Sequence, residues 1–168
     1  MTTPSSANAF IEGAAQRLEA RGFVCARNVP FEGDTFPLAG RRSRFELTKF
    51  GFAENFFVFK EFPSLDQQTL RDYVARAFRY GLSAKAVALP RGLFESIFCF
   101  GVAIVPQIDP AMAASVRNET PARHWSASEG PVVYDTESGT LHYFEKTPFW
   151  GAAYYRGFRK LITEVLEG

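Results

Sequence analysis

Phenylalanine is concentrated in residues 44–62, and this stretch constrains the fold more than any other. Its sequence, RFELTKFGFAENFFVFKEF, carries seven of the chain's 18 phenylalanines. A period of two near 44–50 predicts a strand, and the near-continuous apolar run at 55–62 predicts a second strand that is covered on both faces. Because aromatic side chains suit a pleated and buried surface, we expect these rings to fill the core. They are Phe45, Phe50, Phe52, Phe56, Phe57, Phe59 and Phe62.

Apolar periodicity elsewhere predicts alternating helices and strands. Residues 31–43, which carry Pro, Gly and polar residues, are interpreted as a loop or an irregular edge, and residues 117–130 as irregular. The segment order indicates an α+β fold, with a single-layer, mostly antiparallel or mixed sheet of about four to six strands. An N-terminal, a central and a C-terminal helix would cover that sheet. The predicted helices are 9–20, 65–80, 110–116 and one that starts at Pro148, and the remaining predicted strands are 23–29, 93–105, 132–134 and 141–145.

Length and charge narrow the class of protein. The 168 residues suit one globular domain, 1–168, in which we expect 1–7 to be flexible. A net charge of +1 gives no general attraction to nucleic acid or to anionic membranes. The start of the sequence has no apolar leader pattern, and Cys25 and Cys99 lie in apolar runs. We therefore expect a cytoplasmic protein with free thiols and no membrane partner.

The usual catalytic and cofactor motifs are absent from the sequence. His124 and His142 stand far apart, and neither has a cysteine at zinc-ligand spacing. The glycine patterns of dinucleotide and P-loop sites do not occur, nor does a G-x-S-x-G elbow. The sequence therefore predicts no metal, no cofactor and no catalytic set of residues.

One resemblance points toward a different function. The order α-β-β-β-α-β over residues 9–105 resembles the restriction-endonuclease-like core of the PD-(D/E)xK superfamily. That resemblance implies carboxylates that hold Mg²⁺ and a lysine that helps to organise the attacking water. Glu46 would supply the first acid and Lys60 the lysine, with Glu61 and Glu12 as further acids. Position 58 is valine where the family has its second acid, so the alternative is a divergent Mg²⁺-dependent nuclease-like domain with an incomplete active site.

The last third of the chain favours a non-catalytic binding or protein-interaction domain instead. Large amphipathic rings beside arginine and histidine suit a small-molecule pocket or a protein partner, although the same rings would also seal a sheet under the last helix. The predicted binding residues are Arg123, His124, Trp125, His142, Tyr143, Trp150 and Arg156. Arg41, Arg42 and Arg44 form a basic cluster that would serve either as an anion-binding rim or as a solvated loop. A third alternative is a homodimer built on an exposed strand edge or an aromatic patch.

Three short stretches, RRSRFELTKFG, LPRGLFES and TPFWGAAYYRGFR, resemble an uncharacterised family of single-domain microbial proteins. The family has no assigned activity, so this resemblance implies no function.

Overall fold

A computed structural model describes residues 6–47, 51–85, 95–124, 127–147 and 152–167. These residues form four helices and seven strands. In chain order they are α1 (Ser6–Ala20), β1 (Val24–Phe31), β2 (Asp34–Glu46), β3 (Gly51–Glu61), α2 (Gln67–Ser83), β4 (Glu95–Val105), α3 (Pro110–Asn118), β5 (Ala122–His124), β6 (Ala127–Asp135), β7 (Thr140–Tyr143) and α4 (Ala152–Leu166).

The strands form one mixed sheet, which confirms the predicted α+β class and exceeds the expected strand number. Strands β1, β2 and β3 are an antiparallel meander, and β4 and β6 continue the sheet in parallel to β3. Both β5 and β7 pair antiparallel with the outer edge of β6, one with each half of that strand. As expected for a strand reached through a helix, β4 is parallel to β3.

Helices cover both faces of the sheet and divide the core in two. Helices α1 and α4 bury Leu18 and Ile162 on one face, together with Phe57 and Phe100. Helices α2 and α3 bury Val74 and other apolar residues on the opposite face. Neighbouring strand residues point to opposite faces, so each strand contributes to both cores. We name these sides of the sheet the α1/α4 face and the α2/α3 face.

The first and last helices are joined by hydrogen bonds as well as by apolar packing. Arg17 Nε donates to the carbonyl of Val165 at 2.6 Å, and its Nη2 donates to the carbonyl of Leu166 at 3.3 Å. Carbonyls at a helix C-terminus lack partners within the helix, so this guanidinium satisfies two of them.

The prediction of a phenylalanine core is confirmed for the middle of β3. Phe56, Phe57 and Phe59 are each exposed by 1% or less. Phe45 was expected in the core and is instead 53% exposed, stacked edge-on against the half-buried Phe52. It lies near the end of β2, away from the helices, so its ring finds only a cross-strand neighbour. Phe50 lies outside the described residues.

The prediction that residues 31–43 are irregular is wrong, because most of them belong to β2. Positive φ angles of 48° at Glu32 and 75° at Gly33 make a two-residue hairpin turn between β1 and β2. Gly40 is required by close packing, since a Cβ there would lie 3.0 Å from Leu18 Cδ1 of helix α1. These glycines, which favoured a loop in the sequence, are therefore parts of a hairpin and of a helix–strand contact.

The prediction for residues 117–130 is also wrong in part. They include the short strand β5 and the beginning of β6. Three residues are too few for a periodic pattern to reveal a strand, and β6 begins with small and polar residues. At the N-terminus, helix α1 begins at Ser6, so residues 6–7 are helical rather than flexible, and 1–5 lie outside the described residues.

Candidate functional site

A groove of about 860 Å³ lies on the α1/α4 face, between helix α4 and one end of the sheet. Strands β3, β4 and β6 run parallel, so all of them begin at this end, where β2 finishes. We name this cavity the α4 groove. Its volume falls within the roughly 300–1,000 Å³ that small-molecule sites occupy.

Aromatic rings form one side of the α4 groove. Phe98 of β4 stacks on Phe158 of α4 with ring centroids 3.6 Å apart, and both line the groove. Tyr155 is buried beside them, whereas Tyr154 is 50% exposed. Tyr154 therefore exposes part of its side chain at the groove, while Phe98 and Phe158 hold α4 against the sheet.

Arg42 provides the clearest anion-binding group in the groove. Its guanidinium carbon lies 4.5 Å above the ring of Phe23, and its Nη1 donates to the carbonyl of Arg21 at 3.2 Å. Its Nε is buried without a hydrogen-bond partner. Burial lowers the pKa of Arg42, and the charges of Arg44 and Arg21 lower it further, although Glu164 opposes them. An anion beside Arg42 would reduce this repulsion and supply a missing acceptor.

Three carboxylates, Glu46, Glu54 and Glu164, also line the groove. Glu164 lies 3.9 Å from Arg21 and 3.7 Å from Lys160, so its carboxylate is shared between two cations. Arg123 is exposed at the other side of the groove. The described side chains therefore place cationic groups on both sides of a cavity that also has an aromatic wall.

The structure divides the predicted binding residues between distant places. Arg123 and His124 lie on β5 and line the α4 groove. His142 lies on β7 and pairs with Val133, six residues along β6 from the partner of His124. Six residues of strand correspond to about 20 Å, so the two histidines do not share a site.

The remaining predicted binding residues do not join Arg123 and His124 either. His142 is buried, and burial together with Arg117 lowers its pKa, which favours a neutral ring. Tyr143 is half-buried against the α1/α4 core, as expected for a ring that seals the sheet. Arg156 is exposed on α4 but does not line the groove. Trp125 and Trp150 lie outside the described residues.

The predicted basic rim is also divided, because its members alternate along β2. Arg41 pairs with Phe56 and donates to the carbonyl of Ala84 at 2.7 Å, on the α2/α3 face. Arg42 and the exposed Arg44 lie two residues apart, on the opposite face. Of these three arginines, Arg42 lines the α4 groove.

The acids and the lysine that a nuclease active site would need do not lie together in the structure. Glu46 pairs with Gly51 at the start of β3, whereas Lys60 lies nine residues along that strand, about 30 Å away. Glu12 forms an ion pair with Arg27 at 2.6 Å, and Glu61 is exposed at the end of β3. The six-element order α-β-β-β-α-β is present over residues 6–105, but the relationship to the nuclease core stays a prediction.

The acidic partner of Lys60 is Asp34 rather than Glu46. Its ammonium group contacts Asp34 at the start of β2, and Asp34 also accepts a hydrogen bond from Arg76 of α2 at 2.7 Å. Burial would raise the pKa of Asp34, but the hydrogen bonds from Lys60, Thr35 and Arg76 outweigh it and lower that pKa. The valine two residues before Lys60, Val58, is fully buried. These contacts form an ion network between two strands and a helix.

Sequence reasoning missed Phe98 and Lys160, whereas it had named Arg42 in the basic rim. No local pattern marks them, because the groove arises from the parallel register of strands separated by helices. That register places Ser128 of β6 directly beside Phe98 of β4. Among the described residues, no three His, Cys, Asp or Glu side chains are grouped to hold a metal ion. No described helix has the length and apolar character that crossing a membrane requires.

Comparisons with known proteins supply no further assignment, since no family model, curated protein or solved structure matches the chain.

Proposed function

We propose that this protein binds a small molecule with an acidic group and an aromatic or apolar body in the α4 groove. The observation that carries the proposal is the position of Arg42, whose partly unsatisfied guanidinium lines a cavity of about 860 Å³ together with exposed aromatic surface. A carboxylate or phosphate would pair with Arg42, while an apolar body would lie against Tyr154. A concave site of this volume favours a small molecule over a flat protein interface.

The residues of the nuclease alternative and His124 have other contacts in the structure. Lys60 and Glu46 are far apart, and His124 contacts Glu129 at 3.4 Å and stacks on Phe78 of α2 with centroids 4.7 Å apart. Neither histidine lies beside a nucleophile in the described contacts. The function that we propose for the α4 groove is that of a receptor or carrier.

Isothermal titration with 2-naphthoate tests the proposal, with neutral 2-naphthamide as the comparison ligand. We expect the naphthoate to bind and Arg42→Gln to weaken it about tenfold, since a charge-assisted hydrogen bond contributes roughly 1.5–3 kcal/mol. Arg123→Gln provides a second variant at an exposed position, where loss of folding is not expected.

Arg156→Gln is the matched control, because Arg156 is an exposed arginine of α4 that does not line the groove. Its affinity for naphthoate should equal that of the unmodified protein. Equal binding of the amide and the carboxylate, or equal losses in the Arg156 and Arg42 variants, would contradict the proposal.

A further inference from the structure

A second groove, of about 390 Å³, lies on the opposite face of the sheet between helices α2 and α3. Apolar side chains form its walls: Leu70 and Val74 on α2, and Met112 and Val116 on α3. Strand β6 provides the floor through Glu129 and Pro131. We name this cavity the α2–α3 groove.

Glu129 is the distinctive group of this groove. Its side chain is 16% exposed, and its Oε1 lies 3.4 Å from His124 Nε2. Its Oε2 is buried and has no hydrogen-bond partner. A buried carboxylate oxygen without a donor is unfavourable, so a donor at this point of the groove would be stabilised. The terminal torsion of a glutamate is broad, which lets the carboxylate turn toward such a donor.

The charged side chains that line the α2–α3 groove also favour a cationic ligand. Asp72, Glu119 and Glu129 line it, and Arg71 is the cation among its lining residues. Arg71 lies 3.7 Å from Glu119, which also accepts a hydrogen bond from Gln67 at 2.9 Å. One cation against three carboxylates leaves a negative groove, which attracts cations and repels anions.

We infer that the α2–α3 groove binds a small organic cation, a protonated amine on an apolar or aromatic body, with Glu129 as its counter-ion. Apolar walls suit an organic cation better than a metal ion, which would need several oxygen ligands at once. The ammonium group would donate to Glu129, and the body would lie between Val74 and Met112. This site is separate from the α4 groove, because it lies across the sheet.

Amide NMR titration of the full chain with benzylamine tests this inference, with benzyl alcohol as a neutral ligand of the same shape. We expect benzylamine to shift the amides of Val74, Met112 and Glu129, and benzyl alcohol to bind about tenfold more weakly. Glu129→Gln keeps the size of the side chain and should reduce the affinity for benzylamine by the same factor.

Two further variants make the result decisive. Ala75→Phe fills the groove with Glu129 intact and should abolish binding, since Ala75 is a half-buried lining residue. Glu137→Gln removes an exposed carboxylate in the β6–β7 turn and should leave binding unchanged. Circular dichroism melts check that each variant folds.

Three results would overturn the inference: no amide shift with benzylamine, equal affinities for the amine and the alcohol, or unchanged affinity in Glu129→Gln. None of them bears on naphthoate binding, so failure here and failure at the α4 groove can be told apart.

Discussion

The two grooves lie on opposite faces of one sheet and differ in charge and in lining. The α4 groove has Arg42 and Arg123 beside exposed aromatic surface, whereas the α2–α3 groove has aliphatic walls and a carboxylate on its floor. Adjacent residues supply both cavities: Arg123 lines one and Ala122 the other, and Ser128 and Glu129 are divided in the same way. The alternation of side chains along a strand is therefore enough to give one short strand pair two opposite chemical surfaces.

The largest expected difference between the grooves is in how much their lining residues contribute to the stability of the fold. Phe98→Ala removes a ring that is 5% exposed and stacked on Phe158, and should lower the free energy of unfolding by about 3–5 kcal/mol. Val116→Ala in the other groove removes two methyl groups and should cost roughly 2 kcal/mol. Urea denaturation of both variants measures the contrast, and equal losses would show that the aromatic wall has no special structural role.

A smaller effect is expected at the segment that leads into α3. Asp135 accepts hydrogen bonds from the backbone of Ile108 at 3.0 Å, Glu137 at 2.9 Å and Ser138 at 2.8 Å. Asp135→Asn should cost about 1–3 kcal/mol, because an amide cannot accept all three as a carboxylate does.

The same residue predicts a pH dependence. Burial would raise the pKa of Asp135, but the donors from Ser138, Ile108 and Glu137 outweigh it and lower that pKa. Because its pKa is lowered in the folded state, the Asp135 carboxylate stabilises the fold at pH values above the ordinary aspartate pKa of about 3.9. This stabilisation is lost as the pH falls through the pKa of the folded state. Denaturation measured from about pH 6 to about pH 2 should therefore show that the free energy of unfolding falls less steeply with acid in Asp135→Asn than in the unmodified protein.

The grooves should also be energetically independent, since they lie on opposite faces. The double variant Arg42→Gln/Glu129→Gln should lose affinity for naphthoate as Arg42→Gln does and for benzylamine as Glu129→Gln does, within about 0.5 kcal/mol. Calorimetry with each ligand in the presence of the other measures this. Coupling well beyond that figure would mean that the two sites communicate through β5 and β6.

The smallest effect is expected for the nuclease alternative. Lys60 is engaged by Asp34 and lies about 30 Å along β3 from Glu46. We therefore expect no Mg²⁺-dependent DNA cleavage, and no difference between Lys60→Ala and the unmodified protein in that assay. Cleavage that disappears in Lys60→Ala would replace the binding proposal with the nuclease reading.

The sequence predicted what depends on local periodicity. The buried rings of β3 and the helix α2 both follow from short-range patterns. It failed where packing between distant segments decides, as at Gly40, a strand residue where the close approach of Leu18 from α1 leaves little room for a side chain. The predicted binding residues are divided for the same reason. His124 and His142 are 18 positions apart in the chain, and they pair with opposite ends of strand β6.

The hydrogen bonds from Arg17 to the end of α4 have a consequence for biosynthesis. They join residues 148 and 149 positions apart, so they cannot form until the C-terminal helix has left the ribosome. The core of the α2/α3 face, in contrast, uses residues that all precede α4 in the chain, so it can assemble before α4 is synthesised. A nascent chain halted before α4 would thus have one face covered by α2 and α3 and the other covered by α1 alone, and the apolar surface left exposed there is the kind that a chaperone recognises.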